Sequence, residues 1–219
     1  MSSKSAVLFD LDGTLADTAP DLAAAINRMR TEQGMEPLPI ERLRPFASAG
    51  ARGLVFAGLG VKPGEGEYDG LRETFLEYYA ERTCVETRLF PGVDALLAEI
   101  GRRGLAWGIV TNKALSFTER IVVQLGLAPA CVVGGDSTPH LKPHPASLLL
   151  AAQQLGLAAD ACCYLGDDLR DIQAARAAGM RPVAVEWGYH HPDNSGPGTW
   201  QAEAVIHRPE DLIPLLERK

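Results

Sequence analysis

Val7-Leu8-Phe9-Asp10-Leu11-Asp12-Gly13-Thr14 decides what kind of chain this is. Apolar residues run without interruption into two carboxylates, a glycine and a hydroxyl. That is the pattern of a buried strand delivering Asp10 and Asp12 just past its C-terminal end, where open α/β sheets hold their ligands. A carboxylate can attack phosphorus or carbon, a second one two residues on can move the leaving group's proton, and both accept a divalent cation. The same letters also spell an Asp-Gly turn after a core strand, with the Asp side chains capping local N–H groups. The remaining chain has to separate the two.

Beyond Asp17 the apolar period changes. Pro20 suits a first helical turn, Leu22, Ala25, Ile26 and Met29 recur at helical steps, and Gly34 with Pro37 closes the segment. A second amphipathic helix is predicted over residues 67–82, with Tyr68, Leu71, Phe75, Tyr78 and Tyr79 on one face, a stripe read as core. Between them, residues 46–53 read as a small-residue loop opening a short helix through Leu59. Residues 17–88 are therefore a helical insertion, and residues 1–16 with 89–219 form the other domain. Leu89-Phe90-Pro91-Gly92 is the expected exit linker. After it, helical segments alternate with apolar runs at residues 105–110, 130–133, 161–165, 183–185 and 204–206, the last two shorter. Five apolar strands alternating with helices predict a doubly wound parallel sheet covered on both faces.

Composition narrows the function. A chain of 219 residues, 46% of them hydrophobic, buries one substantial core, or one core plus a small second domain. A formal net charge of −7 and the lack of a basic stripe argue against a nucleic-acid partner. No window approaches the roughly 18 uninterrupted apolar residues of a membrane span, and residues 1–5 carry no signal-peptide pattern, so a cytoplasmic protein is expected. Cys84, Cys131, Cys162 and Cys163 show no C-x-x-C spacing and read as reduced, buried thiols, the adjacent pair on opposite faces of a strand. His190 and His191 lack a third ligand and read as an exposed loop pair. Trp187 and Tyr189 either line a site entrance or belong to an ordinary surface loop.

The strand ends carry the specific signal. Asp10 and Asp12 end the first, Thr111 and Asn112 the next, Lys142 lies just beyond the third, and Asp167 with Asp171 follows another. In a parallel sheet these ends share one edge, so the groups converge. The set suits phosphoryl transfer through a covalent aspartyl phosphate. Repulsion between an attacking carboxylate and a phosphate monoester is offset by Mg²⁺ held on further carboxylates and by the Lys142 ammonium. Thr111 and Asn112 are candidates to hold phosphoryl oxygens, as are Gly13, where the backbone can approach closely, and Thr14.

In residue type, order and spacing, Asp10-Leu11-Asp12-Gly13-Thr14, Thr111, Lys142 and Gly166-Asp167-Asp168-Leu169-Arg170-Asp171 resemble the four motifs of the haloacid dehalogenase superfamily phosphatases. That superfamily places a helical cap after its first motif. Residues 17–22 and 110–113 are similar to phosphoglycolate phosphatases. Residues 166–172, with Trp187-Gly188-Tyr189, resemble a bacterial branch that includes N-acetylmuramic acid 6-phosphate phosphatases. The resemblance implies a Rossmann-like core with Asp10 as nucleophile, and Asp12 as the acid that protonates the leaving oxygen and then activates water. It implies Mg²⁺ on Asp10, the Asp12 carbonyl and Asp167, with Asp171 acting through a bound water or orienting Lys142 and Asp168 less defined. It further implies that the insertion selects a small phosphorylated metabolite. There Ser48-Ala49-Gly50-Ala51-Arg52-Gly53 is the candidate receiver of a substrate carboxylate, with Arg52 as its cation; the plain alternative is a solvated cap surface.

Rival readings remain. A phosphomutase of the same fold would return the phosphoryl group to sugar, a dehalogenase would leave Asp12 without purpose, and a signalling receiver domain would lack so large an insertion. Sequence leaves monomer and homodimer open.

Overall fold

The computed structural model describes residues 5–190 and 195–217. From the N-terminus come β1 (Ala6–Phe9), β2 (Ala16–Asp17), α1 (Ala19–Glu32), α2 (Ile40–Leu43), a 3-10 helix at Arg44–Ala49, α3 (Gly50–Leu59), α4 (Tyr68–Arg82) and β3 (Arg88–Leu89). The chain continues through α5 (Val93–Arg102), β4 (Ala106–Val110), α6 (Leu115–Gln124), β5 (Cys131–Val133), α7 (Ala146–Leu155), β6 (Cys162–Gly166), α8 (Leu169–Ala178), β7 (Arg181–Val185) and β8 (Ala204–Ile206). A 3-10 segment over Pro209–Glu217, absent from the expectations, follows.

Six strands form one parallel sheet in the order β5-β4-β1-β6-β7-β8. They are the first apolar run and the five that follow the exit linker, the three-residue β8 pairing along the edge of β7. Period-two alternation sorts the core residues to the two faces. Val7 and Phe9 pack with Val93, Leu96 and Ile100 of α5 and Ile121 of α6. Ala6 and Leu8 pack with Leu148 and Ala151 of α7 and Ala174 and Ala175 of α8. Cys163 joins the first cluster and Cys162 the second, as adjacent strand residues must. All four cysteines are free thiols, and only Cys84 is less than buried.

The register aligns the strand ends. Phe9 pairs with Ile109 on one side and Leu165 on the other, and the Asp10 N–H donates to the Leu165 carbonyl at 2.8 Å. The residues following β1, β4 and β6 therefore stand level at one edge of the sheet.

Four helices, α1 to α4, lie between β2 and β3, and they pack around Leu22, Ile26, Met29, Leu54, Val55, Phe75 and Tyr79. Of the face expected over residues 67–82, Tyr68, Phe75 and Tyr79 are buried, whereas Leu71 and Tyr78 are half-buried. Tyr78 instead carries the Arg28 guanidinium 3.7 Å above its ring. Two expectations are corrected here. The exit linker is partly strand: β3 pairs antiparallel with β2, Ala16 against Leu89 and Asp17 against Arg88, a ribbon too short for alternation to show. The small-residue loop before α3 is the Arg44–Ala49 3-10 helix, with Pro45 suited to its first turn.

His190 is half-buried rather than exposed, its Nε2 lying 2.7 Å from the Glu186 carbonyl; His191 is outside the described residues. Among the described residues no helix is long and apolar enough to cross a membrane.

Candidate active site

Asp10 leaves β1 into a tight loop in which the N–H groups of Thr14, Leu15 and Ala16 all donate to the Leu11 carbonyl. Gly13 adopts φ +85°, a conformation L side chains rarely take, and a Cβ on it or on Gly188 would overlap the Asp167 carboxylate. Such close approach packs Asp10, Asp167 and Asp171 so that one oxygen of each lies within 4.8 Å of the others.

Each carboxylate has a different set of partners. Asp167 Oδ1 accepts from the Thr14 hydroxyl at 3.0 Å, and its Oδ2 accepts from the Tyr189 N–H at 2.8 Å and the Ser48 hydroxyl at 3.3 Å. Asp171 Oδ1 accepts from Lys142 Nζ at 2.7 Å, and its Oδ2 accepts from the Asp168 N–H at 3.1 Å, closing a capping box on α8. Asp10 Oδ1 is buried, and its one partner is Lys142 Nζ, 2.9 Å away in a buried ion pair. Burial first, and then the neighbouring Asp10 and Asp171, hold the Asp167 carboxyl well above its ordinary range. Burial likewise raises Asp171, to about 7, against the pull of Lys142. Three desolvated carboxylates with an oxygen of each within 4.8 Å of the others are a hard-oxygen donor set that fits a small divalent cation.

Lys142 is built into the same wall. Its Nζ also donates to Tyr164 Oη at 2.7 Å and to the Val110 carbonyl at 3.2 Å. Burial works against its charge, but Asp10 and Asp171 outweigh that and raise its pKa. Asn112 fixes the backbone of Lys142 reciprocally, Oδ1 accepting from Lys142 N at 2.9 Å and Nδ2 donating to Lys142 O at 3.1 Å. Thr111 is buried beside them, its hydroxyl accepting from Lys113 N at 3.2 Å.

Above this floor opens a cavity of about 730 Å³, walled by the sheet edge and by α3 and α4. Asp10, Asp12, Thr111, Asn112 and Lys142 reach it from below and Arg52 from the rim. Arg52 is exposed and has no ion partner among the described residues. Gly13 and Thr14 do not line the cavity; Thr14, expected on the phosphate, spends its hydroxyl on Asp167. The Asp12 carboxylate stands outside the three-carboxylate group, its Oδ1 taking the Thr18 hydroxyl and an ion pair with Lys113 Nζ at 3.1 Å.

Sequence reasoning gave no role to Lys113, Arg72 or Arg170. Lys113 lines the cavity with its side chain 7% exposed. Arg170 grips Asp168 at 2.8 Å and reaches across to the Ser48 carbonyl at 2.9 Å. Arg72 had a signal: it sits in the helical stripe of Tyr68, Phe75, Leu76 and Tyr79, so a cation had been placed on an apolar face. Nor do Trp187 and Tyr189 line the entrance. Trp187 Nε1 donates to the Thr14 carbonyl at 3.0 Å, and Tyr189 Oη accepts from the N–H groups of Thr18 at 2.7 Å and Ala19 at 2.9 Å, joining the loop to the back of the site.

Comparison with known proteins agrees with this geometry. Residues 7–185 match the model of the haloacid dehalogenase-like hydrolases. An N-acetylmuramic acid 6-phosphate phosphatase of Pseudomonas aeruginosa is 43% identical over 215 residues, covering 97% of this chain and 95% of that protein. A phosphoglycolate phosphatase of Xanthomonas campestris pv. campestris is 44% identical over 212 residues, covering 94% of each. A haloacid dehalogenase-like family hydrolase from Streptococcus pneumoniae shares the fold with a TM-score of 0.83 at 24% identity, over 99% of this chain and 100% of that one. The chain belongs to the haloacid dehalogenase-like hydrolases, and it is a phosphatase.

Proposed function

We propose that this protein is a Mg²⁺-dependent phosphomonoesterase acting on a small carboxylated phosphoester, with residues 17–88 as its substrate-selecting cap and the rest as its catalytic core. The observation that carries the reading is the juxtaposition of Asp10, Asp12, Lys142 and Asp171 on the floor of one cavity with Asp167 packed behind.

Asp10 attacks phosphorus, forming an aspartyl phosphate as the bond to the ester oxygen breaks, and Asp12 gives that oxygen its proton. Asp12 then takes a proton from water, whose oxygen displaces Asp10 and releases inorganic phosphate. Thr111 and Asn112 orient the phosphoryl oxygens, and Lys142 holds negative charge beside Asp10 throughout. Asp10, Asp167 and the Asp12 carbonyl would hold Mg²⁺, with Asp171 acting through water or by orienting Lys142. Bound there, the ion offsets the repulsion between the carboxylate and the phosphoryl oxygens.

The cavity wall supports an anionic substrate. The aspartates of the lining all come from the core, whereas the charged residues that α3 and α4 contribute are Arg52 and Arg72, which favours an anionic group on that side. Arg52, next to the start of α3, is placed to receive a substrate carboxylate. Phosphoglycolate, on which one relative is named, is the first reading of the substrate. N-acetylmuramic acid 6-phosphate, on which another is named, is a second reading favoured by the 730 Å³ volume, which a two-carbon acid leaves largely empty.

A panel of 2-phosphoglycolate, N-acetylmuramic acid 6-phosphate and hexose phosphates, ranked by kcat/KM with and without chelator, tests the proposal. One of the two carboxylated esters should lead, turnover should vanish in chelator, and inorganic phosphate should appear without an isomeric sugar phosphate. Preference for an uncarboxylated hexose phosphate would refute the substrate class.

A further inference from the structure

Two buried polar groups in the cavity wall have donors to spare. Lys113 has one ion partner among the described residues, Asp12, and an ammonium carries three N–H donors. Beside it, 4.8 Å from Nζ to ring centroid, is Tyr79 of α4, which is 1% exposed and lines the cavity. The Tyr79 hydroxyl is buried with the Lys113 ammonium as its polar neighbour, and since an ammonium can only donate, the phenol proton has no acceptor. A buried donor without an acceptor destabilises the empty site, and a ligand that supplies an acceptor recovers that cost. The ring cannot turn away to find another partner: Phe75 stacks on it at 6.4 Å and Phe117 of α6 closes the other side at 5.1 Å.

Both groups are donors. Burial pushes the Tyr79 phenol up to about 12 even with the Lys113 ammonium opposing the shift, so it keeps its proton at neutral pH. The matching ligand group is an anionic oxygen acceptor. Its position is also bounded, because Lys113 Nζ touches Asp12, the group assigned to the leaving oxygen. A substituent read here sits on the carbon that bears the ester oxygen.

We propose that Lys113 Nζ and Tyr79 Oη form a carboxylate subsite beside Asp12, specific for 2-(phosphonooxy)carboxylic acids. The inference rests on the phosphatase reading for the role of Asp12, and it assigns the near carboxylate to the cavity wall rather than to the rim. A carboxylate on the far side of a sugar ring would not reach it.

Calorimetric binding of two inert phosphonates to the wild-type protein with Mg²⁺ tests the subsite. 3-Phosphonopropionate carries the carboxylate where phosphoglycolate has it, and propylphosphonate replaces that group with methyl. The wild type should bind the first about tenfold or more tightly than the second, as expected for charge-assisted hydrogen bonds. Tyr79→Phe, which keeps the ring and its packing, should cut that ratio severalfold, and Lys113→Met should bring it close to one. A ratio near one in the wild type, or an unchanged ratio in both variants, overturns the subsite. Phosphate release is scored separately. Preferential binding without any phosphoester hydrolysis refutes the phosphatase reading and leaves the subsite standing, whereas hydrolysis without preference does the reverse.

Discussion

Lys142 and Lys113 are both buried at the same end of the sheet, and their donors are used in opposite ways. Lys142 is saturated by the protein: Asp10, Asp171, Tyr164 and the Val110 carbonyl all lie within 3.2 Å of its Nζ. Lys113 has Asp12 alone as an ion partner among the described residues, beside a hydroxyl whose proton has no acceptor. On the proposed function, the floor is prebuilt for one group, the phosphate, with no reorganisation at the moment of reaction. The wall leaves its donors open because part of their complement arrives with the substrate. This division explains how one reaction serves different alcohols: chemistry lies in the saturated region, selection in the unsaturated one.

The largest expected effect tests the floor. Asp10→Asn should lower phosphate release by roughly a thousandfold or more, since it removes the nucleophile. Its thermal midpoint should stay near that of the wild type, because Lys142 keeps Asp171 as its ion partner and the amide removes a like charge from beside Asp167. Multiple turnover by that variant in a phosphate-release assay would refute the nucleophile assignment.

Lys142→Met asks whether the floor is held by that ammonium. Without it Asp10 and Asp171 face each other as uncompensated buried charges, at a cost of about 3–5 kcal/mol in urea unfolding. Lys113→Met removes a single partner and should cost distinctly less. Equal losses would erase the distinction between floor and wall.

Much of the floor was legible in the sequence and little of the wall was. Strand ends in a parallel sheet project polar residues to one edge, so Asp10, Thr111, Lys142 and Asp167 could be brought together from order alone. The wall depends on how α4 packs over α6, as Tyr79 does on Phe117, and no local pattern reports that a tyrosine in an apolar stripe carries an unsatisfied hydroxyl. The back of the site was equally opaque. Tyr189 meets Thr18 across 171 residues, from a loop whose Gly and Pro content suggested an ordinary surface. The β2–β3 ribbon escaped notice because two residues per strand cannot display a period.

Tyr189→Phe tests that back wall with a smaller effect. It leaves the N–H groups of Thr18 and Ala19 without an acceptor and Asp17 with Arg44 as its remaining donor, a loss of about 2 kcal/mol. The thermal midpoint should fall by about 4–8 °C. An unchanged midpoint would mean that the hydroxyl does not hold the loop, and that the backbone N–H of Tyr189 to Asp167 suffices to place it.

Arg52→Ala should have the smallest effect and the most selective one. The guanidinium is exposed at the rim, where solvent screening weakens an ion pair, so its loss should cost five- to tenfold in kcat/KM at most. That loss should fall on N-acetylmuramic acid 6-phosphate, whose lactyl carboxylate lies far from the ester. 2-Phosphoglycolate, with its carboxylate within reach of Lys113, should change by less than about threefold. The opposite ranking would move the near carboxylate to the rim, and with it the boundary between the saturated floor and the open wall.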